Sequence, residues 1–164
     1  MNDSIHLVRF ESPIGRIEIV GDGEAVTALS IASGGRLPHD DVATCADEVL
    51  ESAADQLGEY FMGERRVFEI PVRLSGTVFQ RSVWERLAEI GFGSLTTYGK
   101  LGEALGYHGY GRAVGGAVGA NPIPIIIGCH RVLSSSGAVT GYSGGEGIPT
   151  KLWLLQHEGI TLAA

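Results

Sequence analysis

Short apolar runs alternate with turn signals over the first forty residues. Leu7, Val8 and Phe10 are followed by Ile17, Ile19 and Val20, then by Val26, Leu29 and Ile31, with Ser12-Pro13-Ile14-Gly15 and Gly21-Asp22-Gly23 between them. Runs of this length, broken by Gly, Pro, Asp and Ser, predict three strands in an antiparallel meander. Gly34-Gly35-Arg36-Leu37-Pro38 ends that pattern. Val49, Ala53, Leu57 and Tyr60/Phe61 then recur at a helical interval with acids opposite, which predicts a helix from about 45 to 62 covering the sheet. From Gly63 to Leu74, Phe68, Ile70 and Val72 alternate with polar residues before Ser75-Gly76. This reads as a strand or an extended connection, and it divides the chain into lobes of 1–75 and 76–164.

The second lobe changes period. Thr77-Val78-Phe79-Gln80 is a Thr-x-x-Gln capping box, and Phe79, Val83, Leu87 and Ile90 make the apolar stripe of a helix that Gly91-Phe92-Gly93 ends. A shorter helix follows, with Tyr98, Leu101 and Leu105 on one face and Gly106 as its terminal glycine. Beyond a Tyr107-to-Tyr110 link lies a third helical segment, Gly111 to Ala120. Two short helices joined by a tight turn make a minimal helix-turn-helix. The third segment is costly, because Gly111, Gly115, Gly116 and Gly119 each lose about 1 kcal/mol of helix propensity relative to alanine. A bare backbone face admits close approach, either of a neighbouring helix or of a nucleic-acid groove. Arg112 at its start tilts the balance slightly toward a polyanion.

The 164 residues, 44% hydrophobic and 19% charged, fit a globular fold and exclude disorder, fibres and coiled coils. The longest apolar stretch, Ile123 to Ile127, is too short to span a bilayer. Met1-Asn2-Asp3-Ser4 lacks the basic and apolar regions of a secretory signal, so a cytoplasmic location is expected. Cys45 and Cys129, 84 positions apart, would remain thiols there. A formal charge of −7 argues against nucleic acid until it is divided along the chain. Residues 1–76 hold six Arg against fourteen acids, whereas residues 77–135 hold five cations against three acids. The acidity belongs to the first lobe.

Asn121-Pro122-Ile123-Pro124-Ile125-Ile126-Ile127-Gly128-Cys129-His130-Arg131-Val132 is the most informative stretch. An apolar, strand-like run delivers a thiol, an imidazole and a guanidinium in succession. Such a cysteine is either a small core residue or a nucleophile whose thiolate the adjacent cations favour, moving its pKa from about 8.5 toward neutrality. Glu158 ends a helix expected from about 150 to 158, where a carboxylate faces the negative end of the macrodipole. It needs a cationic or hydrogen-bonding partner, or else marks a frayed, solvated end. His39 and Cys45 read as a loop residue and a helix-start residue, too few for a structural zinc site, and no metal is expected.

Taken together, Asn-Pro-x-Pro-Ile-x-Ile-x-Cys-His-Arg-Val, Arg112-Ala113-Val114-Gly115, Gly141-Tyr142-Ser143-Gly144-Gly145, Leu154-Leu155-x-His157-Glu158-Gly159 and Phe79-Gln80-x-x-Val83-Trp84 resemble the O6-alkylguanine-DNA alkyltransferases. The match runs from Gly76 to Gly159, and the first lobe agrees in pattern only. The resemblance implies an α/β (α+β) fold. A ribonuclease H-like lobe, with a three-stranded antiparallel sheet and covering helix, precedes a helical helix-turn-helix lobe that carries the active-site cysteine. It implies a monomer without cofactor that acts on double-stranded DNA containing O6-alkylguanine, with O4-alkylthymine as a further lesion and clustering along DNA left open. The glycine-rich helix would enter the minor groove through Gly111, Ala113 and Gly115, and Arg112 would fill the gap left by a flipped base. Cys129 would accept the alkyl group once, His130 would act as base through a water, and Glu158 would orient His130. Asn121 would support the turn, and Tyr98 would rotate the nucleotide and hydrogen-bond it at N3. Tyr142 and Ser143 would wall the pocket, and carbonyls near Cys129 and Val132 would read the exocyclic amine.

Two departures stand out. Gly128 occupies the position where the family usually has proline, and Gly91-Phe92-Gly93 replaces a common Pro-Tyr-Gly. Both are expected to loosen the site without abolishing function, so Gly128→Pro should speed transfer. A lesion sensor that does not transfer the alkyl group and a Cys-His-Glu hydrolase are the alternative readings.

Overall fold

The computed structural model describes residues 5–162, so the signal-sequence reading of Met1-Asn2-Asp3-Ser4 lies outside the described residues. The predicted meander forms. β1 (His6–Phe10), β2 (Ile17–Gly21) and β3 (Val26–Ile31) pair antiparallel in that order, with Leu7 opposite Val20 and Ile19 opposite Leu29. Leu7, Ile17, Ile19 and Val26 are fully buried, each side chain contributing about 1.5–3 kcal/mol relative to exposure.

The covering helix, α1 (Glu48–Phe61), starts later than its apolar spacing suggests. Asp47 is the reason: its carboxylate accepts the Leu50 N–H at 2.9 Å and fixes the first turn. Cys45 therefore lies outside the helix, and its backbone exchanges two 3.0 Å bonds with Leu7, extending the sheet. Leu50, Ala53, Leu57 and Tyr60 form the buried stripe, with Leu50 in the place expected of Val49. The segment after α1 is an extended connection. Among the described residues only Val72 of this segment bridges to β3, through Val26, and Pro71 has no N–H to extend the ladder.

The chain divides into a unit that runs to Leu74 and takes in Gly144–Glu146 and a unit of Ser75–Ser143 and Gly147 onward. In the second unit, α2 (Val78–Leu87) has both halves of its capping box, Gln80 N–H to Thr77 Oγ1 and Thr77 N–H to Gln80 Oε1, each at 3.0 Å. The helix ends at Leu87, so Ile90 lies in the turn beyond it, while Trp84 joins Val83 and Leu87 on the buried face. α3 (Tyr98–Ala104) and α4 (Gly111–Gly119) follow. α5 (Ile148–His157) closes the unit, with Glu158 just past its end as the capping residue. A two-residue parallel pair is the one sheet element here among the described residues: β4 (Thr96–Thr97) beside β5 (Val132–Leu133). Among the described residues no helix is long and apolar enough to cross a membrane.

Candidate active site

Cys129, His130 and Arg131 form one 3₁₀ turn leading directly into β5. The apolar run before them is a folded loop rather than a strand. Asn121 closes it from both sides, with Nδ2 donating to the Ile127 carbonyl at 2.8 Å and Oδ1 accepting the Ile123 N–H at 3.0 Å. Ile127 N–H also returns to the Ile123 carbonyl at 2.9 Å. Ile125 sits at φ +74°, an outlier for a β-branched residue that costs about 1–3 kcal/mol. Burial of Ile123, Ile125 and Ile127 offsets that strain. On the far side of the turn, Thr96 pairs with Val132 and Thr97 with Leu133. Tyr98 follows β4 and Cys129 shortly precedes β5, so this short ladder brings both to one cavity.

The cavity encloses about 340 Å³ and is lined by Tyr98, Gly115, Val118, Cys129, Tyr142 and Lys151 among others. That is the lower end of the range for small-molecule sites. The Cys129 thiol is 3% exposed, and burial pushes its pKa up, against hydrogen bonds from Asn121 and Tyr142 and the charge of Lys151. Burial thus favours the protonated thiol, whereas adjacent cations in the sequence suggested a depressed pKa.

Those neighbouring cations point elsewhere. Arg131 donates from Nε and Nη2 to the two oxygens of Glu158, at 2.8 and 3.0 Å, and from Nη1 to the Ile90 carbonyl at 2.7 Å. The cation that acts on the sulfur is Lys151, which sequence reasoning missed. Lys151 is 1% exposed and donates to the carbonyls of Val132 at 2.6 Å and Gly141 at 3.1 Å. Burial pulls its pKa down, partly offset by Cys129. A readable signal existed: Lys151 shares the buried helix face of Leu154 and Leu155, where a lysine requires a purpose. The Val132 carbonyl accepts from that buried ammonium, and a carbonyl oxygen keeps a second lone pair for a further donor.

His130 is fully buried with Nε2 2.6 Å from Glu158 Oε2, and its Nδ1 has no protein partner. Burial lowers the imidazole pKa, and the opposing pull of Glu158 does not restore it. A carboxylate on Nε2 favours the proton there, leaving Nδ1 as an available acceptor. Burial would raise Glu158, but hydrogen bonds from His130 and Arg131 overturn that and hold it well below the ordinary carboxylate range. Gly93, at φ +76°, adds its N–H to Glu158 Oε1 at 3.0 Å. The Gly91-Phe92-Gly93 turn is tied to the site through that bond.

Gly128 also differs from expectation. Its φ of −74° is one proline could adopt, so conformational freedom is not what glycine provides. A Cβ here would lie 2.6 Å from Arg131 Nη1 and 2.9 Å from Cζ. The missing side chain is the space in which Arg131 folds back toward Glu158.

Tyr98 opens α3 with its ring near Gly115, and burial raises its phenol pKa, opposed by a hydrogen bond to Thr140. Ser143 Oγ donates to the Gly119 carbonyl at 2.8 Å, joining the cavity loop to the end of α4. Gly111 and Gly115 line the cavity, while Arg112 and Ala113 are exposed outside it. The α4 glycines are not all alike. A Cβ at Gly111, Gly116 or Gly119 would meet nothing within 4 Å, so helix packing does not account for these three. The close helix approach instead uses Gly102, where a Cβ would come within 3.3 Å of Val114. Among the described residues no cluster of three or more His, Cys, Asp or Glu is arranged to hold a metal ion.

Residues 78–160 match the DNA-binding domain, and residues 6–74 the ribonuclease-like domain, of 6-O-methylguanine DNA methyltransferase. The chain is 40% identical over 154 residues to the methylated-DNA–protein-cysteine methyltransferase of Mycobacterium tuberculosis, covering 94% of this chain and 92% of that protein. Its counterpart from Haemophilus influenzae is 39% identical over 160 residues, with coverages of 96% and 88%. The crystal structure of Mycobacterium tuberculosis OGT in complex with DNA superposes with a TM-score of 0.83 at 40% identity, covering 93% of this chain and 92% of that one.

Proposed function

Since the chain belongs to the 6-O-methylguanine DNA methyltransferase family, we propose that it performs direct-reversal DNA repair, moving the alkyl group of O6-alkylguanine in duplex DNA onto Cys129. The observation that carries this reading is a cysteine on the wall of a small-molecule-sized cavity, followed in the same turn by a buried histidine whose Nε2 is held by a carboxylate. The lesion enters through the minor groove as an extruded base, because a nucleophile this buried reaches nothing inside the stack. Arg112 and the open face of α4 lie against the duplex. The cytoplasm, which keeps thiols reduced, suits this chemistry.

The thiol proton passes through a water to His130 Nδ1, and Glu158 stabilises the imidazolium that results. Lys151 stabilises the thiolate as it forms. Sulfur attacks the alkyl carbon, an S–C bond forms as the C–O6 bond breaks, and the electron pair goes to the guanine ring system. Tyr98 keeps its phenol proton and donates toward N3, and the proton taken from the thiol ends on guanine N1. The products are neutral guanine in DNA and a thioether on Cys129. A thioether has no ready leaving group, so each molecule acts once.

Stoichiometric protein incubated with an O6-methylguanine duplex and weighed intact should gain one CH₂ on Cys129, once per chain. Tight binding without an adduct would instead identify a sensor, and repeated turnover on a small ester or amide would identify a hydrolase.

A further inference from the structure

An exposed aromatic side chain stands where α4 begins. Tyr110 is the residue before Gly111 and occupies the capping position of that helix, yet its side chain makes no capping hydrogen bond. Ser, Thr, Asp or Asn would serve the helix better there, so local stability does not explain a tyrosine. Its burial does not explain it either, since Tyr110 is 57% exposed. The ring is nonetheless packed on one side. Phe79 meets Tyr107 edge-to-face at 5.0 Å, and Tyr107 meets Tyr110 in the same way at 6.0 Å, an aromatic ladder rooted in α2 whose outer end is Tyr110. Neighbouring residues suit one partner. Gly111 lines the Cys129 cavity, and Arg112 offers a positive charge one residue further on.

We propose that Tyr110 stacks on a nucleotide flanking the extruded guanine, as a second DNA-reading side chain beside Arg112. The proposal rests on the repair reading above, with duplex DNA as the occupant of the α4 face. An aromatic ring packed on one side before binding loses little freedom on contact, and extrusion of the guanine bares one π face of each flanking base, so the contact is insensitive to sequence. It divides labour with the arginine: Arg112 contributes the salt-dependent part of affinity and Tyr110 a part that salt does not screen.

Duplex affinity measured by fluorescence anisotropy across a salt series tests this. Tyr110→Ala should weaken binding about tenfold or more with an unchanged salt slope, and Tyr110→Phe should bind like the parent. Arg112→Ala should lower the salt slope by about one. Tyr110→Leu keeps an apolar contact for Tyr107 without a π face, so it should lose affinity like alanine even if alanine perturbs the ladder. Alkylation of Cys129 by a small soluble alkyl halide should proceed at the parental rate in all Tyr110 variants. Parental affinity in Tyr110→Ala and Tyr110→Leu, or a Phe variant as weak as alanine, would overturn the proposal. If the parent took no methyl group from the duplex, the repair reading would fail instead, a result the binding series does not share.

Discussion

Each unit of this protein contains a buried glutamate paired with a histidine and an arginine, and only one of the two has the makings of a catalytic centre. In the first unit Glu18 is 1% exposed and accepts from His39 Nδ1 at 2.8 Å and from the His39 N–H at 3.1 Å. Arg9, its cross-strand partner, stands 3.9 Å away and spends its donors on the carbonyls of His39 and Val42. In the second unit Glu158 holds His130 and both prongs of Arg131. The ingredients match, but the remaining ring nitrogen does not. His39 is partly exposed to water, whereas His130 is fully buried with Nδ1 unpartnered, one residue along the turn from a cysteine that lines a cavity. A carboxylate–histidine pair becomes chemical machinery through what its second nitrogen meets.

The largest expected effect comes from removing the sulfur that separates the two clusters. Cys129→Ser should abolish alkyl transfer in the intact-mass assay while the His130–Glu158 pair and the fold persist. Cys45→Ser, on the sheet-extending segment of the first unit, should transfer at the parental rate. A serine at 129 that still became alkylated would place the acceptor elsewhere.

Next in size is the carboxylate itself. Glu158→Gln leaves the Arg131 guanidinium buried without its counter-charge, a loss of about 3–5 kcal/mol, and weakens His130 as base by about 10²-fold or more in rate. The same groups set the acid response. His130 has a depressed folded pKa, so it adds stability that is fully present above its ordinary value of 6.5 and is lost as pH falls from there through its lower folded value. Glu158, also depressed, adds stability above 4.5 that is lost further into acid. Melting temperature should therefore fall in two stages on acidification, and His130→Gln should remove the upper stage. A variant that kept that stage would assign it to another group.

Gly128→Pro is expected to have an intermediate effect, opposite in sign to what the sequence alone suggests. The backbone angle suits proline, but ring atoms would invade the space of Arg131 and pull it from Glu158, costing about 1–3 kcal/mol and slowing transfer several-fold. Single-turnover rates with melting curves would decide. Faster transfer would show that Arg131 is dispensable.

That reversal marks what the sequence could convey. The meander, α1, the capping box and the three-helix order were legible because each rests on local periodicity or a short-range cap. The pairing of His130 with Glu158 and the turn held by Asn121 were legible only through the family resemblance. The destination of Arg131 was not, because it depends on Ile90 and Glu158, dozens of positions away. β4 and β5 were invisible at two residues each, although they join Tyr98 to the cysteine turn. The run from Ile123 to Ile127 resembled a strand because its composition is β-like, and two bonds from Asn121 fold it back instead.

The smallest effect should come from the other cluster. His39→Ala removes the ring from Glu18, but the backbone N–H at residue 39 remains as a donor, and Arg9 still faces the carboxylate across the strand pair. One hydrogen bond to a charged group is then lost, worth about 1.5–3 kcal/mol, a shift of several degrees in melting temperature. Alkyl transfer should not change, since the thiol, His130 and Glu158 are all untouched. The matching change at His130 removes the proton acceptor and should slow transfer by orders of magnitude. If His39→Ala slowed transfer to a comparable degree, the contrast between the two glutamates would collapse, and the first unit's cluster would have to be counted as part of the chemistry.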